Sequence, residues 1–532
     1  MKKIFVSIFV LAAAMPVVAQ ETYENAKIAT EDLNGTARYV GMGGAMDALG
    51  ADISTIGSNP AGIGLFRKSS VSTSFGFNSQ EDAKDFAGSN KTRMSFDQIG
   101  FVLSMRTGES SYTNFAFNYH KSRNFGFILS AADNLPVFTD YDGNKFTASQ
   151  NKLTYEKAKN GLLYDGMDSK GWPNIDKPFA SCNQLDDMYT RNLNFDTDDN
   201  AWYYDEASAY TLNRNHKGYI GEYDFNLSGN VNDRFYWGLT VGVHGVHYKH
   251  YGEYKESLDG FNILVNDDRE ISGTGFDIKG GIIIRPIEES PFRFGLSVAT
   301  PTFYNLTTEN STSMILTDAY GTSVTNNEKL DFKLWTPWKF GLSLGHTVGQ
   351  MLALGAGFEY ADYGSLDTRY GTGRYYDYWT DTYRENSRSD SEMNRHTEQT
   401  LKGVYTLKLG AELKPIPEMA VRLGYNYVSP MYNEDGFKDG TIQSEGSYYS
   451  SATDFTNWKG TNRITCGLGY QFGDLNLAFA YQYSTQKGEF MPFMSYVEGD
   501  HFDVQNPENN ICDPVEVKNN RHQVLFTVGY TF

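Results

Sequence analysis

After residue 19, no apolar run in this 532-residue chain reaches the ~18 residues that a membrane-spanning helix needs, which excludes helical spans. Cysteine is nearly missing too. Three thiols cannot make a disulfide framework, although Cys182 and Cys512 fall in loops on one side and could pair, while Cys466 takes an apolar position of a strand. Positive charge is short: 46 Lys and Arg stand against 65 Asp and Glu, a formal net charge of −19, which argues against nucleic acid as a partner. Catalytic signatures are lacking as well. There is no GxSxG, no HExxH and no phosphate-binding loop, so a non-enzymatic role without a cofactor is expected.

What the chain does contain is glycine and aromatic residues, 52 Gly, 37 Tyr and 35 Phe beside only 15 Pro. Residues 1–19 read as a secretory signal peptide, with Lys2 and Lys3 ahead of an apolar stretch and small residues at its end. Beyond it the aromatics fall in short alternating segments. In the last of these, Val524, Phe526, Val528, Tyr530 and Phe532 alternate with Gln523, Thr527, Gly529 and Thr531, and only Leu525 breaks the rule. About fourteen such segments can be counted, each long enough to cross a membrane once at a tilt. Their connections alternate short and long, so that 107–110, 231–233, 286–291, 346–350, 415–418 and 473–474 are short and those between them are long. A barrel with short periplasmic turns and long outer loops requires this alternation, whereas a soluble sandwich or propeller does not. The low mean hydropathy of −0.49 is compatible with it, because only one face of each strand meets lipid. The fold expected is all-β: a transmembrane antiparallel β-barrel in a diderm outer membrane, monomeric, surrounded by outer-membrane lipid and with both termini periplasmic.

The segment at residues 35–67 is unlike the rest. It is rich in glycine, carries Asn59-Pro60-Ala61, and has too few large apolar side chains to fold alone, so a surrounding wall must hold it. Arg38, Asp47 and Asp52 are placed to pair with lumen charges. This glycine-rich stretch with Ser58-Asn59-Pro60-Ala61-Gly62, between a signal peptide and the first strand, resembles the hatch of the FadL family of outer-membrane transporters for long-chain fatty acids and other hydrophobic compounds, whose relatives include toluene-transport-like and hemin-receptor-named proteins. The resemblance implies residues 20–69 as a hatch inside a barrel of residues 70–532. Asn59, Pro60, Ala61, Arg38, Gly43 and Gly44 would serve as gate residues, and passage would be passive, ligand-gated and lateral. The aromatic carboxy-terminus at Phe532 similarly resembles the terminal signal read by barrel assembly machinery.

Residues 111–131 hold a second irregularity. Apolar parity runs Phe115, Phe117, Tyr119, meets Lys121 and Arg123, and returns at Phe125. Either these cations mark the outer headgroup level, or Lys121, Arg123, Asn124 and Gly126 form a kink that opens the wall, as the resemblance implies for a third strand. His244, His247 and His250 do not suit a metal together, because parity puts His247 on the opposite face, and no metal is expected. Asp196, Asp198 and Asp199 read as a solvated acidic loop, as does the aromatic loop at 375–384. Two other functions remain open: a porin for small hydrophilic solutes, or a surface-binding protein, such as an adhesin or haem-capturing receptor, anchored by the barrel.

Overall fold

Strict alternation along the wall strands leaves every second side chain facing outward, and these outward residues are apolar: Phe225 and Leu227 on one strand, Leu239, Val241 and Val243 on the next, Phe276 and Ile278 on the third, all exposed. A closed sheet follows from that pattern. The computed structural model describes residues 21–179, 181–317, 321, 323–379, 382–498 and 503–532, and residues 1–20, with the expected signal peptide, lie outside them. The wall strands are β1 (Ser70–Gln80), β2 (Thr92–Arg106), β3 (Tyr112–Asn124, resuming as Phe127–Asn134), β4 (Ala207–Val231), β5 (Phe235–Leu258), β6 (Asn262–Ile284) and β7 (Arg293–Ala299 and Phe303–Leu316). They continue as β8 (Ser323–Trp335 and Lys339–Val348), β9 (Leu352–Asp362 and Asp367–Asp377), β10 (Thr382–Ser389 and Gly403–Ile416), β11 (Met419–Val428), β12 (Phe455–Phe472), β13 (Leu475–Met491) and β14 (Val515–Lys518 and Arg521–Thr531). Each pairs antiparallel with its neighbours, and β14 returns to β1 from Ser70↔Thr531 to Gln80↔Arg521, closing a barrel of fourteen strands with an apolar outer band. That band makes it an outer-membrane barrel.

The sequence reading placed every wall strand but cut several short. The connections expected at 251–270 and 305–331 are instead ladder: β5 and β6 stay paired from Phe235↔Ile284 to Ser257↔Asn262, and β7 pairs with β8 from Phe303↔Trp335 to Ile315↔Ser323. Above the lipid the outer face of a strand turns polar while its inner face packs Tyr254, Ile263 and Val265 under the cap, so the lipid-side alternation is lost while the backbone hydrogen bonds continue.

The lumen is filled in tiers. Helix α1 (Thr22–Ala29) lies at the upper end, where Tyr23 stacks on Tyr432 and Glu21 pairs with Lys438 at 2.6 Å. The first described residues therefore sit near the outer loops, not at the periplasmic end expected for both termini. The chain then descends, with Asp32 N donating to Ser122 O, and turns through α2 (Ala37–Gly41) and α3 (Thr55–Ser58) before entering β1 from below. Over the top, the connection after β3 is no open loop. Its helices α4 (Gln150–Lys159) and α5 (Gln184–Tyr189) bury Lys157 against Asp186 at 2.5 Å, and Leu185, Met188 and Tyr189 join Tyr210, Tyr254 and Phe490 in an apolar core that caps the barrel.

Candidate functional site

The lower lumen is sealed by backbone lying on backbone. On the inner wall, Gly238, Gly281, Gly355, Gly410 and Gly424 face the amino-terminal segment so closely that a Cβ at any of them would collide with it, and one at Gly345 would press on Ala48 and Leu49 at 3.1 Å. At Gly43, whose φ is +63°, the segment itself could carry no side chain, because a Cβ would fall 2.8 Å from Tyr425 N. Gly44, at φ +77°, turns under Tyr39. Asn59 is wholly buried, and its Oδ1 accepts from Ala61 N at 3.2 Å, which fixes the turn at Pro60 against Gly238 and Gly281.

Hydrogen bonds tie the segment to strands all round the circumference: Ala37 N to Thr527 Oγ1, Thr465 Oγ1 to Gly41 O, Asn426 Nδ2 to Gly43 O, and Thr240 Oγ1 to Ile56 O. Leu525, the residue that broke the terminal alternation, points inward onto Ala37 and Val40. Two of the three charges singled out in the sequence find lumen partners. Arg38 binds Glu412 at 3.0 Å and Asp47 binds Lys408 at 3.2 Å, whereas Asp52 accepts from Thr36 and Ser54 within the segment. Glu412 also holds Arg422 at 2.7 Å, so Glu412→Ala leaves a buried guanidinium with no carboxylate. Its expected cost is about 3–5 kcal/mol, measured as the shift of the urea unfolding midpoint of the detergent-folded barrel.

Higher up, the wall is interrupted. β2 pairs with β1 as far as Ser79↔Thr92, but with β3 only as far as Gln98↔His120, so residues 92–97 of β2 have no β3 partner. β3 bends away there. A bulge at Ser122 separates Lys121↔Gly221 from Arg123↔Ile220, and pairing with β4 breaks after Asn124↔Tyr219 and resumes at Phe127↔His216. Side chains bridge the gap instead of a ladder: Lys121 Nζ donates to Ser95 Oγ at 3.1 Å, Asn34 Nδ2 to both Asp97 Oδ1 and Lys121 O at 3.1 Å, and Gln80 pairs both ways with the backbone of Ile128. Of the sequence candidates, Lys121 lies in the gap, Gly126 lies under the Arg93 guanidinium, and Asn124 N donates to Asp32 Oδ2 at 2.9 Å. Arg123 turns inward. Within residues 111–131 the structure thus shows a bulge at Ser122 beside the unpaired residues 92–97 of β2.

Inside the gap lies a cavity of about 250 Å³. One side is apolar and aromatic, from Phe125, Phe127, Tyr432, Phe455 and Trp458. The other carries Arg123, Arg463 and Arg521, which face a single carboxylate, Asp32, at 2.9 Å from Arg123 and 4.0 Å from Arg463. Glu24, Glu31 and Asp454 contact Lys27, Lys339 and Arg214, and Glu359 shares Lys408 with Asp47, so the positive surplus is local to the three guanidiniums around Asp32. Asp32, Arg463 and Arg521 were missed in the sequence, although Arg463 and Arg521 stand at the outer ends of strands already placed.

The remaining candidates do not converge. Cys182 and Cys512 are free thiols buried in different apolar clusters, and burial pushes Cys512 up to about 12. Asp196 accepts from Asp198 N in a plain turn. The cap supplies a pH response. Glu256 is buried on β5 above the lipid, where it accepts from Gln150 N and Tyr254 Oη, and burial pushes its carboxyl up to about 7. That exceeds the roughly 4.3 of an unfolded chain, so stabilisation by the bound proton is complete below the lower value and lost as pH rises through the upper. Amide exchange of Gln150–Lys159, corrected for intrinsic rate, should be slower at about pH 5 than at about pH 8, and Glu256→Gln should flatten the difference.

These features define a plugged, capped fourteen-stranded outer-membrane barrel with a side gap and an amphipathic cavity. Among solved structures it is similar to a Pseudomonas aeruginosa FadL homologue (12% identity, covering 95% of this chain and 100% of that one, TM-score 0.48) and to the Ralstonia pickettii toluene transporter TbuX (12%, 94% and 99%, 0.46). It is also similar to the CymD monoaromatic hydrocarbon channel (9%, 94% and 97%, 0.44). No family model and no curated protein matches the sequence.

Proposed function

We propose that this barrel carries hydrophobic compounds with an anionic head, long-chain fatty acids being the best fit, through the outer leaflet of the outer membrane. The carrying observation is the missing β2–β3 ladder beside the cavity, an interruption that exposes unpaired backbone at the edge of the wall and gives a cavity-bound molecule a lateral exit. The aromatic side accepts an alkyl chain at about 25 cal/mol per Å² buried. The arginine surplus accepts the carboxylate, which sets a fatty acid apart from an uncharged hydrocarbon. Residues 20–69 act as the hatch, with Asn59-Pro60-Ala61 as its latch on the wall glycines. A porin reading is disfavoured by backbone contacts that fill the lower lumen.

The test is uptake by vesicles carrying wild-type protein or Arg463→Ala. Losing one charged hydrogen bond should weaken capture of a labelled long-chain fatty acid about 10–100-fold and leave the matching fatty alcohol unchanged. Equal loss for both would remove the carboxylate from the account.

A further inference from the structure

Below that cavity, β3 to β6 turn a second group of ionisable side chains into the lumen, and the transport reading does not use them. Glu222 and Asp224 come from β4, His244 from β5, Asp277 and Lys279 from β6, and His120 from β3; all but His120 are almost fully buried. We propose that Glu222, His244 and Asp277 hold a divalent transition-metal ion of the zinc type.

The oxygens divide between Lys279 and His244. Lys279 Nζ contacts Glu222 Oε1, Asp224 Oδ1 at 3.3 Å and Asp277 Oδ1 at 3.6 Å. The opposite oxygens, Glu222 Oε2 and Asp277 Oδ2, lie 3.7 and 3.1 Å from the imidazole of His244. Neither nitrogen of that imidazole makes a hydrogen bond, although the residue is 2% exposed. Three carboxylates share one ammonium in a buried site, an acidic excess that a divalent ion would offset.

A proton on His120 would offset it too, but the spacings argue otherwise. Imidazolium–carboxylate bonds close to about 2.7–2.9 Å, whereas His120 stands 3.7 and 3.6 Å from Glu222 and Asp224. The two contacts of His244 use opposite ring nitrogens, Nδ1 toward Glu222 and Nε2 toward Asp277, and only one can bind an ion; one donor atom from each of the three residues lies within 4.8 Å of the others, a spacing that side-chain rotation closes to the ~3.4 Å of a tetrahedral site with ~2.1 Å bonds. A chamber of about 120 Å³, lined by His120, Glu222, Asp277 and Lys279, leaves room for water as a fourth ligand. His120 and Asp224 share Glu222 from the other side and complete the polar surround. Gly57 of the hatch segment covers the group, its Cβ position 3.8 Å from His120 Cε1, so an ion here would also set the floor on which the segment rests. Although His244, His247 and His250 cannot converge, His244 has better partners across the strands than along its own.

The experiment uses the full detergent-folded chain, stripped with a chelator, dialysed against Zn²⁺ and analysed for metal, with Co²⁺ replacing Zn²⁺ for an absorption spectrum. Wild type should retain one ion per chain and give the cobalt bands of a mixed nitrogen and oxygen site. His244→Ala should lose affinity on the order of 100-fold, while His247→Ala, on the lipid side of β5, should match wild type. Heat-modifiable gel migration checks that each barrel is folded, and His244→Gln stands in if the alanine variant does not assemble. Folded wild type without a bound ion, or binding unchanged in the His244 variants, would overturn the assignment.

Discussion

Deleting Ser122 should abolish most uptake while leaving the barrel assembled. Ser122 is the unpaired residue of the bulge between Lys121↔Gly221 and Arg123↔Ile220, so its removal puts those pairs in consecutive register and takes the first bend out of β3. A straighter β3 can extend its ladder with β2 beyond Gln98↔His120 and cover the edge of residues 92–97. Every backbone bond gained there replaces a side-chain bridge such as Lys121 to Ser95, so the variant should be at least as stable as wild type. Transport of labelled fatty acid into vesicles should fall by roughly tenfold or more, with binding in the cavity retained, because the molecule keeps its pocket and loses its exit. Unchanged uptake would mean that the gap is not the route.

The second large effect is expected at Gly424→Val. Its Cβ would collide with Met42 and Gly43 of the amino-terminal segment, on a wall strand where neither backbone can give way cheaply. Overpacking of this kind costs about 1–3 kcal/mol and falls wholly on the contact between segment and wall. Single-channel recording in a planar bilayer should show a nearly closed wild type and a variant with frequent, large openings. The lipid-facing Leu423→Val, one residue away and 63% exposed, is the control that should stay closed.

The sequence carried the wall and the segment within it, because lipid on one side and lumen on the other impose a two-residue period on each strand. It stopped being legible where that asymmetry ends. The upper halves of β5 and β6 are largely polar on the outer face, so Tyr251 to Glu270 looked like loop although the two strands pair as far as Ser257↔Asn262. The cap was hidden for another reason: Lys152, Lys157 and Asp186 lie in a connection without alternation, and only a folded partner reveals them as buried. At the site itself, Lys121 and Arg123 were visible as cations breaking an apolar face. The direction of Arg123 was not, since one extra residue at Ser122 reverses the parity that follows. Inward charges at Glu222, Asp224, Asp277 and Lys279 were readable by the same parity, as polar residues on strands whose other face is wholly apolar.

The most direct test is photolabelling of the folded protein in vesicles with a long-chain fatty acid carrying a photoreactive group near its tail, followed by peptide mapping. The account expects label on Phe125, Phe127 and Trp458 in the cavity and on Met94 and Phe96 at the unpaired edge of β2, with competition by unlabelled fatty acid. Label confined to the outer loops, or spread evenly over the lipid-facing band without competition, would contradict it.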